Sequence, residues 1–123
     1  MRKLARDECL ALLEAGEFGH SLIGAADTVA VVLTQSWCPQ WAWMRSYLAA
    51  LPNDSSREIF WVEYDQEDFF EPFMNFKEAT FGNDQVPYVR YYRGGKLAAE
   101  SNYIDQGGFL RFLSGKKLSS EAV

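Results

Sequence analysis

The six residues Val29–Thr34, Val-Ala-Val-Val-Leu-Thr, constrain this chain more than any other stretch. They form an unbroken apolar and β-branched run with no polar alternation. Such a run belongs to a strand covered on both faces, which requires helices on either side of a sheet. The segments around it supply them. Cys38 to Leu51 reads as a helix, with Pro39 suited to its first position and Trp41, Met44, Tyr47, Leu48 and Leu51 on one apolar stripe. Pro52-Asn53 ends it. Ile59–Tyr64 is a second strand. A helical stretch follows with Phe69, Phe70, Phe73, Met74 and Phe76, within which Pro72 starts a fresh turn or a kink. Gly82-Asn83-Asp84 is a loop. Tyr88–Tyr92 and Lys96–Ser101 are strands joined by a tight turn at Arg93-Gly94-Gly95.

The flanks complete the order. Asp7 is a plausible cap for a helix over Glu8–Ala15, which Gly16 closes, and Cys9, Leu12 and Leu13 share its apolar side. Cys9 therefore reads as a small buried hydrophobe. Phe18–Thr28 reads as a loop carrying a lone surface histidine, His20. Asp105 caps a last helix in which Phe109, Leu110, Phe112 and Leu113 face inward and Gly115 marks the end. The order α-β-α-β-α-β-β-α predicts an α/β fold: a central mixed β-sheet flanked by helices on both faces. Residues 1–123 read as a single domain without repeats or a linker.

Composition excludes several classes of function. Of the 123 residues, 48% are hydrophobic and 24% charged, which marks a folded globular chain. The formal net charge is -5, and the basic residues are scattered. Arg2-Lys3 and Lys116-Lys117 are most simply solvated, so no nucleic acid is expected as a partner. No apolar run approaches the ~20 residues of a membrane span. The first 18 residues lack an apolar core of the signal-peptide kind, and a cytoplasmic location is the expectation. No metal site is read. Two cysteines this far apart make no disulfide framework, and both are expected as free thiols.

The chemistry concentrates at Cys38. A strand that stops at Thr34 and a helix that begins near Cys38 put the sulfur at a helix N-terminus. Free backbone N–H groups and the helix dipole favour an anion there, and a thiolate is such an anion. Pro39 removes one N–H but leaves those of Gln40 and Trp41. No acidic residue stands close in sequence to oppose the charge. Read locally, Cys38 is either this reactive thiol or a buried, inert core cysteine. Val86-Pro87 precedes a strand, where a proline costs no ladder bond.

These residues, in this order, resemble the thioredoxin family. Trp37-Cys38-Pro39-Gln40-Trp41 is similar to its Trp-Cys-x-x-Cys motif. Val86-Pro87 is similar to its cis-proline dipeptide, and the spacing from Pro87 through Gly95-Lys96 matches its strand and hairpin. Val62–Gln66 resembles its strand ending in an aspartate, here Asp65. The resemblance runs from about Val29 to the C-terminus, and the helix carrying Cys9 fits the family's first helix. It implies a thioredoxin-like fold, a nucleophilic Cys38, a flanking Trp37, and a substrate segment bound in extended form along Val86-Pro87. Pro39, Gln40 and Trp41 complete the implied substrate-binding set. Protein thiols or disulfides are the implied partners.

The departures are as informative. Trp41 stands at the resolving-cysteine position, so a mixed disulfide on Cys38 must wait for an outside thiol. Glutathione is the co-substrate that this implies, since Cys-Pro-x-x also resembles glutaredoxins. The sequence nevertheless shows no clear basic pair for glutathione's carboxylates. Val32 replaces the family's buried aspartate, which serves the resolving step. The stretch from Asp65 to Pro87 is longer than in minimal thioredoxins and bears the aromatic-rich helix. Two readings follow. One is a single-cysteine thiol-disulfide oxidoreductase. The other is a redox-inactive binding or regulatory module, with a groove formed by Trp37, Trp41, Trp43 and the helix around residues 69–76. A peroxidase lacks its usual Thr or Ser and Arg at the expected spacing.

Overall fold

The computed structural model describes residues 1–115; Lys116-Lys117 lie outside the described residues. The elements are β1 (Arg2–Lys3), α1 (Arg6–Ala15), α2 (His20–Ile23), β2 (Thr28–Thr34), α3 (Pro39–Ala50), β3 (Arg57–Glu63), a 3-10 turn at Tyr64–Gln66, α4 (Phe70–Ala79), β4 (Tyr88–Arg93), β5 (Lys96–Ser101) and α5 (Gln106–Ser114). The five strands lie in the order β1-β3-β2-β4-β5. β1 and β2 run parallel to β3, while β4 is antiparallel to both β2 and β5. The mixed sheet with helices on both faces is the one the element order predicts.

β2 sits at the centre, and its alternate residues serve two cores. Val29, Val31 and Leu33 pack with Cys9 and Leu12 of α1, Leu22 and Ile23 of α2, and Phe73 of α4. Ala30 and Val32 point the other way, against Trp41, Met44 and Leu48 of α3 and Phe109 and Leu113 of α5. Both sets are buried, which explains why the run shows no polar alternation.

Local signals account for most element ends. The two-residue turn Gly94-Gly95 has φ of 58° and 75°, which glycine adopts without Cβ strain and which matches the twist of a hairpin. Asp105 accepts a hydrogen bond from the Gly108 amide at 2.8 Å, a cap that contributes about 1 kcal/mol. Pro72 falls in the first turn of α4, where its missing N–H costs no intrahelical bond.

Four expectations are corrected. Asp7 is not the cap of α1: the helix begins at Arg6, and the Glu8 carboxylate reaches back to the Ala5 amide at 2.7 Å. The Phe18–Thr28 loop contains α2, with His20 exposed at its start and Leu22 and Ile23 buried. β1 was not anticipated, because two residues carry no period; it pairs with Phe60 and Trp61 of β3. Phe112 is 40% exposed, its ring stacked on the outside of Tyr91 at 5.5 Å.

A buried polar network crosses the α1 side of the sheet. The Arg90 guanidinium donates to Glu17 at 2.8 Å, Tyr92 at 2.8 Å and Tyr88 at 2.9 Å, and lies 3.7 Å from the Phe81 ring centroid. A buried charge is tolerable here because its donors meet oxygen acceptors and an aromatic face.

Cys9 is fully buried in this layer, as expected from its stripe. Burial, with smaller effects from Glu67 and Glu8, pushes its thiol up to about 12. The unfolded chain ionises this thiol near 8.5, so the folded state loses stability as pH rises through that value. Cys9→Ala removes the effect. The stability gap between wild type and Cys9→Ala, measured by urea unfolding, is expected to narrow by about 1–2 kcal/mol between pH 8 and pH 10.

Candidate active site

The sheet register assembles the site. β2 and β3 are parallel, with Thr34 opposite Glu63, so the segments that leave them emerge side by side. β4 is antiparallel to β2, with Leu33 opposite Tyr88. One step further, the residues entering β4 meet those leaving β2. Gln35–Cys38, Tyr64–Gln66 and Val86-Pro87 therefore converge on one edge, the place where α/β sheets open a crevice.

The turn before α3 is held from β3. The Asp65 carboxylate accepts from the Ser36 amide at 2.8 Å and from the Ser36 hydroxyl at 2.6 Å. Gln66 donates to the Ser36 hydroxyl at 3.0 Å. Partial burial pushes the Asp65 carboxyl up, but these hydrogen bonds outweigh it and the net direction is down. Gln35 spans the same gap, donating to the Tyr64 hydroxyl at 3.2 Å and accepting from the Trp37 indole at 2.6 Å. Trp37 is 64% exposed, and Gln35 fixes its ring orientation over the surface.

Cys38 is the N-cap residue of α3, with extended backbone, and Pro39 is the first helical residue. Its carbonyl accepts the helix's first bond from Ala42 at 3.2 Å. The residue is only 5% exposed, less than a strand-to-helix junction leads one to expect. The cover comes partly from Val86: the Cys38 thiol donates to the Val86 carbonyl at 3.6 Å. The Val86–Pro87 peptide bond is cis. Pro87 is buried, Val86 half-buried, and Pro39 and Gln40 exposed. Cys38, Pro39, Gln40, Trp37, Val86 and Pro87 are thus brought to one edge.

Trp41 departs from the expectation. Its indole is 1% exposed, packed at 6.0 Å from Trp61, and its N–H donates to Glu63 at 2.8 Å. Arg45 shares the Glu63 carboxylate at 3.3 Å. The position is core, so Trp41 offers no side-chain surface to a substrate. Phe69 and Phe73 are buried as well. The groove drawn from Trp37, Trp41, Trp43 and the 69–76 helix is therefore not the surface found. What is exposed is Trp37, together with Trp43 (60%), whose ring lies 5.9 Å from Tyr103.

Two features escaped sequence reasoning. Distance along the chain hid the contact of Asp65, read only as the end of a strand, with Ser36 beside Cys38. Lys77 escaped because lysine is read as solvated, yet it is 1% exposed. Its place one turn after Phe73, on the same helix face, was the available signal.

The two cysteines are both free thiols. Cys9 packs on one face of the sheet and Cys38 on the other. The sheet between them prevents their pairing.

No protein-family model matches the chain, and no curated protein matches it. Its likeness to solved structures is clear. Thioredoxin O2 from Arabidopsis thaliana, in its oxidised state, superposes with a TM-score of 0.62 at 17% identity, covering 92% of this chain and 90% of that one. A point mutant of thioredoxin from Halobacterium salinarum gives 0.60 at 13% identity, over 80% and 83% of the two chains. A buckwheat glutaredoxin in complex with glutathione gives 0.54 at 16% identity, over 91% and 96%. This chain has the thioredoxin fold. The fold implied by the resemblance at Trp37–Trp41 and Val86-Pro87 is thus the fold observed. Among the described residues, no helix of this thioredoxin-fold chain is long and apolar enough to cross a membrane.

Trp41→Ala is expected to destabilise the protein by about 3–5 kcal/mol, since it empties a large core volume and strips a hydrogen bond from Glu63. Guanidinium unfolding followed by far-UV circular dichroism measures this.

Proposed function

We propose that this chain is a thiol-disulfide oxidoreductase that works with one sulfur, Cys38, and relies on an outside thiol to finish each turnover. The observation that carries the reading is the placement of the Cys38 sulfur at the start of α3, 3.6 Å from the Val86 carbonyl, with buried Trp41 in the resolving position. The amides of Gln40 and Trp41 lie in the first turn of α3 and have no partner within the helix.

The steps balance as exchanges. The Cys38 thiolate attacks the glutathione sulfur of a glutathionylated protein; a Cys38–glutathione disulfide forms and the protein thiolate leaves. A second glutathione thiolate then attacks that disulfide, releasing oxidised glutathione and restoring the Cys38 thiolate. No proton or electron is left over. Trp41 cannot supply the second thiol, and Cys9 lies across the sheet. Glutathione as co-substrate is also supported by the fold's likeness to a glutathione-bound glutaredoxin. The partner segment runs in extended form beside Val86-Pro87, pairing with the Val86 backbone. A reducing cytoplasm would supply the thiol.

Incubation with oxidised glutathione at pH 7, followed by intact mass, tests this. One adduct is expected, on Cys38 and not Cys9, cleared by reduced glutathione and absent from Cys38→Ser. An unmodified wild type would overturn the proposal. Cys9, held as a thiol by burial, serves as the internal control against unfolding.

The second reading, a redox-inactive binding module, draws on the exposed indoles of Trp37 and Trp43. It predicts that Cys38→Ser retains every partner captured by the wild type.

A further inference from the structure

The segment facing Cys38 is fastened from behind by a buried polar cluster that takes no part in thiol exchange. Lys77, on α4, sends its ammonium into the loop that leads to β4. Nζ donates to the Gln85 carbonyl at 2.7 Å, the Asn83 carbonyl at 2.8 Å and the Asn83 side-chain oxygen at 3.3 Å. Three donors thus meet three acceptors, all within three residues of the loop. Asn83 extends the cluster: its side-chain oxygen also accepts from the Gln85 amide at 3.0 Å and from Asn102 at 3.1 Å. Asn102 in turn donates to the Pro87 carbonyl at 3.1 Å. The contacts bracket Val86 on both sides, at Gln85 and at Pro87.

We propose that Lys77 is a positioning residue for the docking edge: it holds Gln85–Pro87 in the place where the Val86 backbone can pair with an extended peptide beside Cys38. The proposal rests on the reading of Cys38 as a nucleophile and adds to it the residue that sets peptide recognition.

Physical reasons favour this role over plain core filling. The segment 80–87 has no helix or strand of its own, and ordering each such residue costs about 1–2 kcal/mol. A hydrogen bond from a charged donor is roughly twice as strong as a neutral one. Burying an ammonium is costly, and among the described residues Lys77 makes no salt bridge. Burial pushes it down to about 8, with Glu78 and Asp84 opposing only in part. A methionine would fill the same space at lower desolvation cost. It could not hold the Gln85 carbonyl.

The test compares wild type with Lys77→Met on two disulfides. One is an extended hexapeptide carrying a cysteinyl–glutathione disulfide. The other is bis(2-hydroxyethyl) disulfide, which has no peptide backbone to dock. Lys77→Met is expected to slow mixed-disulfide formation with the peptide about tenfold, the loss of a charged hydrogen bond or two, and to leave the small disulfide within about twofold. Equal slowing on both, or on neither, would overturn the proposal. Amide exchange of Gln85 and Val86 is expected to accelerate about tenfold in the variant while β3 amides stay unchanged; unchanged loop amides would also overturn it. If wild type reacts with neither disulfide, the nucleophile reading fails and amide exchange alone decides the role of Lys77. Should Lys77→Met not fold, Asn102→Ala, which cuts the Pro87 contact, faces the same two criteria.

Discussion

The position of β2 between a parallel and an antiparallel neighbour governs the rest of this structure. Its parallel partner β3 ends beside it, so Asp65 arrives next to Ser36. Its antiparallel partner β4 begins beside it, so Val86-Pro87 arrives next to Cys38. A one-residue slip in either ladder would turn every β2 side chain to the opposite face and exchange its two cores. The two cores differ enough to prevent this. One takes Val29, Val31 and Leu33 against α1, α2 and α4. The other takes the smaller Ala30 and Val32 against the bulky Trp41 and Met44 of α3.

Around that frame the edge is built from polar pins. Asp65 holds Ser36, Gln35 orients Trp37, and Lys77 with Asn83 and Asn102 holds the approach to β4. These contacts join segments about 30 residues apart at Ser36–Asp65 and 19 apart at Asn83–Asn102. They substitute for regular backbone ladders in loops that have none. Each buried polar group among them meets a partner, as a low-dielectric setting demands.

Legibility followed the range of the determining contact. The strand Val29–Thr34, the α3 stripe, the glycine turn and the Asp105 cap are written in neighbouring residues, and they were readable. β1 escaped because two residues hold no periodicity and its pairing with β3 is wholly long-range. The start of α1 was misplaced by two residues because Glu8, rather than Asp7, supplies the cap contact. Phe112 sits at a helical spacing that suggested burial, but among the described residues it is left 40% exposed.

At the site the division is sharper. By itself the sequence determined the sulfur at a helix start, the loss of a second cysteine at Trp41, and the proline ahead of β4, since each depends on residue identity and local backbone preference. Only the tertiary structure decided that Trp41 is core and not groove, that Cys38 lies beneath the Val86 carbonyl, and that Cys9 is walled off across the sheet. It also decided that a lysine is buried behind the loop. Burial and pairing across a sheet depend on what other segments bring to the same place, and neighbouring residues carry no record of that.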